Sequence, residues 1–159
     1  MSNQNETRIL LVDDEPMVLS SIQVFLQLET DYQVLTFSSP ARALENLEKN
    51  RIDLAISDYL MPEMDGITFL GKVKEKWPIA PRVLLTGYAD KENAIKAIND
   101  VGLYHYIEKP WNNDDLLLVI RNAVERSLLL RQLEENIEEI EKAHSELAQI
   151  QRRILRLFQ

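Results

Sequence analysis

Up to about residue 128 the chain alternates short apolar runs with stretches whose apolar residues recur every three or four positions. Arg8-Ile9-Leu10-Leu11-Val12 is a continuous run, as a parallel strand covered on both faces requires. Asp13-Asp14-Glu15-Pro16 then signals a helix start, and Val18, Ile22, Phe25 and Leu26 follow at helical spacing. Residues 33–37 predict a second strand, and Ser38-Ser39-Pro40 opens a second helix carrying Ala43, Leu44 and Leu47. A third strand, 52–57, runs straight into Asp58, after which a punctuated loop reaches Gly66 and a helix marked by Ile67, Leu70 and Val73. Residues 82–86 predict a fourth strand broken by Gly87, with a helix from about Asp90 carrying Ala94, Ala97, Ile98 and Val101. Gly102 ends that helix, residues 103–107 form a short fifth strand closed by Lys109-Pro110, and the last helix begins near Asn113. Five β–α units of this kind predict a doubly wound parallel α/β sheet with helices on both faces.

Beyond about Arg126 glycine and proline disappear. Leu130, Leu133, Ile137, Ile140, His144, Leu147, Gln151, Ile154 and Phe158 are spaced alternately by three and four, a heptad seam with Leu130 at a first a position and Leu133 at a first d position. The last helix is therefore expected to run from about residue 113 to the end, roughly 65–70 Å at 1.5 Å per residue. Its far half has no surface of its own domain to lie against and calls for a partner. His144 and Gln151 at a positions fix register at some cost in stability. Residues 134–146 are strongly acidic and Arg152, Arg153 and Arg156 are basic, a segregation that opposes in-register parallel pairing somewhat. A parallel homodimer through this helix is nonetheless the expectation. The reading divides the chain into a disordered segment 1–6, a globular domain 7–128 and a coiled-coil extension 129–159.

The bulk properties narrow the field. The 159 residues carry a net charge of −8 and no cysteine, which disfavours sequence-independent nucleic-acid binding and excludes disulfides and thiolate metal sites. No basic, apolar leader opens the chain and no apolar run approaches the ~20 residues of a membrane span, so a cytoplasmic protein is expected.

Candidate chemistry gathers where strands end: Asp13 and Asp14 after the first, Asp58 after the third, Thr86 at the fourth and Lys109 after the fifth. In a doubly wound sheet these ends share one edge, where ligands bind. Three carboxylates in one cleft repel one another and demand a cation, and an all-oxygen donor set suits Mg²⁺. A lysine and a hydroxyl beside them make a clamp for a phosphoryl group, with a carboxylate as nucleophile. Singly, each residue reads as ordinary: Asp13 and Asp14 as helix caps, Asp58 as a loop residue, Lys109 as a solvated cation. Their joint occurrence is what points to a site. His105 and His144 have no second histidine at ligand spacing and are assigned no metal.

Over about residues 7–128 the chain resembles a response-regulator receiver domain of the two-component kind. The match lies in Asp13-Asp14, Asp58 with Met61-Pro62 and Asp65-Gly66, Thr86-Gly87, and Tyr106 three places before Lys109-Pro110. The resemblance implies a flavodoxin-like sheet in the order 2-1-3-4-5 and phosphorylation of Asp58 by a histidine kinase or a phosphotransfer protein. It implies Mg²⁺ held by Asp14, Asp58 and the backbone carbonyl of Leu60, with Asp13 acting largely through water. Lys109 and Thr86 would bind the phosphoryl group, Gly87 would leave room for it, Tyr106 would turn inward as a switch, and the bond before Pro110 would be cis. Apolar bulk at Leu60 and Tyr88 would prolong the phosphorylated state. Such a domain is a switch rather than an enzyme on an external substrate. Two alternatives stand beside it: a coiled-coil scaffold independent of phosphorylation, and a truncated N-terminal regulatory module of a signalling enzyme such as a cyclic-di-GMP phosphodiesterase. A haloacid-dehalogenase-type phosphohydrolase would want an acid two residues after its nucleophile, where Leu60 stands, and nothing after the receiver resembles a DNA-binding helix-turn-helix.

Overall fold

The computed structural model describes residues 6–158, except for the side chain of Tyr88; the expected disordered N-terminus thus falls almost wholly outside the described residues. Strands β1 (Arg8–Val12), β2 (Gln33–Phe37), β3 (Leu54–Asp58), β4 (Arg82–Thr86) and β5 (His105–Glu108) alternate with helices α1 (Pro16–Glu29), α2 (Pro40–Lys49), α3 (Gly66–Lys76), α4 (Lys91–Asp100) and α5 (Asn113–Leu157). All strand pairs are parallel, and the sheet order is β2-β1-β3-β4-β5, as predicted.

Strand residues alternate between two cores. Ile9, Leu11, Leu54, Ile56, Val83 and Leu85 pack with residues of α1 and the first turns of α5. Leu10, Val12, Ala55 and Leu84 face the other way, onto α2, α3 and α4. The central strands β3 and β4 are buried along their whole length, which is why Leu54-Ala55-Ile56 and Val83-Leu84-Leu85 are unbroken apolar stretches rather than alternations. Helix starts follow local chemistry. Pro16 and Pro40 stand in the first turns of α1 and α2, and the Asp65 carboxylate accepts the Thr68 backbone N–H at 2.7 Å to cap α3. Asn112 caps α5 by accepting the N–H groups of Asp114 and Asp115.

Predicted boundaries move at three elements. The third strand runs Leu54–Asp58 rather than 52–57, the Asp53 carboxylate before it accepting the Arg8 backbone N–H at 2.9 Å. The fifth strand begins at His105 rather than residue 103, because Arg82 holds the approach: its backbone carbonyl accepts Tyr104 N–H at 2.8 Å and its guanidinium donates to Gly102 O at 3.0 Å. Gly102 itself ends α4 with φ of +69°, where glycine avoids a steric cost. A short 3₁₀ turn, Tyr88–Asp90, precedes α4, which therefore starts at Lys91.

Glu63 is the only described non-glycine residue at positive φ, +74°, and Met64 N–H donates to Pro62 O across it at 2.9 Å. Such a tight turn is strained for an L side chain. Glu63→Gly is expected to raise stability by about 0.5–1 kcal/mol, strain relief being partly offset by glycine's entropy. A urea midpoint that does not rise would show that the turn carries no such strain.

By internal packing the chain falls into two compact units, residues 1–127 and 128–159. The second unit is helical through Leu157. No helix among the described residues is long and apolar enough to cross a membrane.

Candidate functional site

The strand ends bring the predicted residues together at the carboxyl edge of β1, β3, β4 and β5. Asp13 follows β1, is fully buried, and uses its two oxygens differently. Oδ1 accepts the Glu15 backbone N–H at 2.8 Å, leading the chain into α1, while Oδ2 takes Lys109 Nζ at 3.1 Å. Asp14 is exposed beside it. Asp58 ends β3 and is 7 % exposed; its Oδ1 accepts Tyr59 N–H and Lys109 Nζ, each at 3.0 Å. Among the described residues Asp13, Asp14 and Asp58 form the one acidic group able to hold a metal ion, with candidate ligand oxygens within 4.8 Å of one another.

Lys109 reaches this cluster because its backbone N–H donates to Thr86 O at 2.8 Å, extending the β4–β5 ladder by one residue. The Lys109–Pro110 bond is cis. Thr86 is buried at the end of β4, one step past Leu85, the register partner of Asp58, and its hydroxyl donates to Gly87 O at 3.1 Å. Tyr106, paired with Leu84 in β5, is half-buried against the core beneath α3 and α4. The Leu60 side chain is 60 % exposed, and the Tyr88 side chain lies outside the described residues.

The electrostatics follow from burial. Desolvation pushes the Asp58 carboxyl up to about 6; the Lys109 hydrogen bond opposes this and the Asp13 charge reinforces it. Asp13 is raised too, chiefly by burial. For Lys109 burial acts downward, but its bonds to Asp58 and Asp13 outweigh it and the ammonium is held charged. One lysine serves two buried carboxylates, leaving surplus negative charge. A hard divalent cation fits that donor set.

A raised carboxyl pKa means the folded chain binds more protons than the unfolded one between about pH 4 and 6, so stability falls as pH rises through that window. In chelator, Asp58→Asn should gain on the native chain across it, becoming more stable by on the order of 1–3 kcal/mol at pH 7. Mg²⁺ should then narrow the gap by stabilising the native chain. Thermal melts that run parallel from pH 4 to 7.5 would contradict the assignment.

One residue of the site had no role assigned from sequence. Gly66 opens α3 with its N–H on Tyr59 O at 2.8 Å, and a Cβ there would overlap the Asp58 carbonyl oxygen. The Asp65-Gly66 pair is legible as a loop-to-helix signal, but that close approach exists only in the folded chain.

Residues 9–121 match the response regulator receiver domain family. The chain is a member of that family. This receiver is 37 % identical over 125 residues to the hydrogenase transcriptional regulatory protein HoxA of Cupriavidus necator, covering 79 % of this chain and 25 % of that one. The chain thus spans about a quarter of that relative's length. Among solved structures it is similar to the signal receiver domain of an HD domain-containing protein from Pseudomonas fluorescens, at TM-score 0.72 and 36 % identity, covering 77 % of this chain and 98 % of that one. It is also similar to a structure described as adenylate cyclase from Rhodopirellula baltica, at TM-score 0.78 and 28 % identity, covering 84 % and 98 % of the two chains.

Proposed function

We propose that this receiver is a switch that accepts a phosphoryl group on Asp58 from the phosphohistidine of a sensor histidine kinase or phosphotransfer protein. The observation that carries the reading is the Lys109 ammonium bonded to both Asp13 and Asp58 inside a three-carboxylate cleft. Tyr59 N–H and Lys109 Nζ both bond Asp58 through Oδ1, so among the described residues Oδ2 accepts no hydrogen bond and its lone pairs are available for attack. A carboxylate oxygen forms the new P–O bond while the P–N bond to the donor imidazole breaks, and the leaving imidazole is neutralised by a proton. Lys109 stabilises the charge on the transferring oxygens, and Thr86 is the neighbouring hydroxyl for hydrogen bonding to them. Asp14, Asp58 and the Leu60 carbonyl would hold Mg²⁺, with Asp13 acting through water; the bound ion supplies neutralisation of phosphoryl charge. Gly87 leaves space on this rim, since an added Cβ there meets only Asp90 Oδ2 at 3.8 Å.

Tyr106 is the switch in this reading. Thr86, drawn to the phosphoryl group, would open space into which the half-buried ring turns, altering the face of α4, β5 and α5. Residues 7–128 act as the receiver and 129–159 as a homodimerising coiled coil, in a cytoplasmic protein that works through protein contacts rather than direct contact with nucleic acid. A second reading, a regulatory module of a signalling enzyme, is favoured by the likeness to the signal receiver domain of an HD domain-containing protein and to a structure described as adenylate cyclase.

The test is intact mass after incubation with Mg²⁺ and a small phosphodonor. One Mg²⁺-dependent phosphoryl addition is expected on the native chain and none on Asp58→Asn. A native chain that gains nothing from any donor or kinase would leave only the coiled-coil scaffold.

A further inference from the structure

Helix α5 continues unbroken to Leu157, so the residues spaced alternately by three and four from Leu130 onward stay on one side of it. Along that side Leu133, Ile137, Ile140, Leu147 and Ile154 are each roughly half exposed or more. We propose that the same segment of a second copy covers this seam, lying parallel and in register. This rests on the dimer reading above and specifies its geometry.

The core layers carry the first argument. In a parallel, in-register pair each a or d residue meets its own counterpart, so His144 faces His144 and Gln151 faces Gln151, polar against polar. In an antiparallel pair a positions face d positions. The alignment that pairs the seam from Leu133 to Phe158 sets His144 on Leu147 and Gln151 on Ile140. Polar groups would then be buried against apolar partners that cannot satisfy them.

The flanks point the same way. In parallel register a g position meets the e position five residues on in the partner. That joins Ala143 to Ala148 and Ile150 to Leu155, covering two large side chains that are otherwise exposed. Glu134 and Glu141, at e, meet Leu129 and Asn136, so no two like charges face each other. Antiparallel pairing brings e against e and g against g, setting Leu155 on Glu134 and Ile150 on Ala143, so the two large side chains no longer cover each other. Glu135, Glu138, Glu139, Arg152, Arg153 and Arg156 all take outward b, c or f positions. The acidic-to-basic segregation that weighs against parallel pairing along the linear sequence therefore lies off the seam.

The absence of cysteine makes the test clean. The full native chain, free and phosphodonor-treated, is weighed by sedimentation. Ile140→Cys and Ile154→Cys, both exposed in the single chain, are oxidised beside the outward-facing Glu139→Cys. Expected are a two-chain mass in at least one state, near-complete covalent dimer for Ile140→Cys and Ile154→Cys, and little for Glu139→Cys. An equal mixture of Ile137→Cys and mass-tagged Ile154→Cys should give only like-with-like products. A predominantly mixed product would overturn the parallel geometry while leaving the dimer standing. A one-chain mass in both states would overturn both, and a three- or four-chain mass would overturn the two-chain seam.

Discussion

Gly66→Ala is expected to destabilise the receiver by about 3 kcal/mol or more and to suppress phosphorylation of Asp58. The added Cβ would overlap the Asp58 carbonyl oxygen and lie 2.9 Å from its carbonyl carbon and 3.0 Å from Leu84 Cδ1. A backbone carbonyl at the end of a fully buried strand cannot swing aside as a flexible side chain can. Either α3 withdraws, breaking the Gly66–Tyr59 backbone bond, or Asp58 is displaced from Lys109. Urea unfolding reads the first cost and intact mass the second. Gly87→Ala is the matched control: its Cβ meets an ordinary contact at 3.8 Å, so the unphosphorylated chain should keep its stability within about 0.5 kcal/mol. Equal costs at the two glycines would show that the close approach at Gly66 is not what holds Asp58.

Lys109→Met should lower the rate of phosphorylation by a small phosphodonor about 10²–10³-fold, the loss typical of one preorganised charge-stabilising donor. With the ammonium gone, Asp13 and Asp58 lose the cation at 3.1 and 3.0 Å, and the Asp58 carboxyl moves still further above about 6. Two effects then add: less Asp58 is ionised near neutrality, and the transferring oxygens lose a partner. They separate by pH. Raising the pH from 7 to 9 should recover the ionisation part in the variant and leave the rest of the deficit. A rate that returns wholly to the native value at pH 9 would reduce Lys109 to a pKa-setting residue. A rate unchanged at pH 7 would remove it from the site.

Much of this molecule is legible in one dimension. Leu54-Ala55-Ile56 and Val83-Leu84-Leu85 mark the buried β3 and β4, and Pro16 and Pro40 mark helix starts within a residue of those observed. Boundaries fail where a side chain from elsewhere takes over the backbone's bonding. β5 starts late because Arg82, twenty residues upstream of Gly102, holds both that carbonyl and Tyr104 N–H. Arg82 itself is buried, with its guanidinium also on Pro78 O and Ala80 O, a role that its place at the start of the predicted fourth strand does not record.

The family, the strand order that goes with it, and the five polar side chains at strand ends are all readable from the residues in order, because they depend on apolar periodicity and on the positions of a few residue types. The order of residues does not say how those side chains share the cleft. That Asp13 divides its oxygens between Glu15 N–H and Lys109, that Lys109 is aimed by its own backbone bond to Thr86, and that Gly66 must lack a Cβ were decided only when β1, β3, β4 and β5 lay side by side. Such contacts join residues as far as 96 positions apart, and their ångström-scale distances are set by the packing of the sheet, which no local pattern along the chain records.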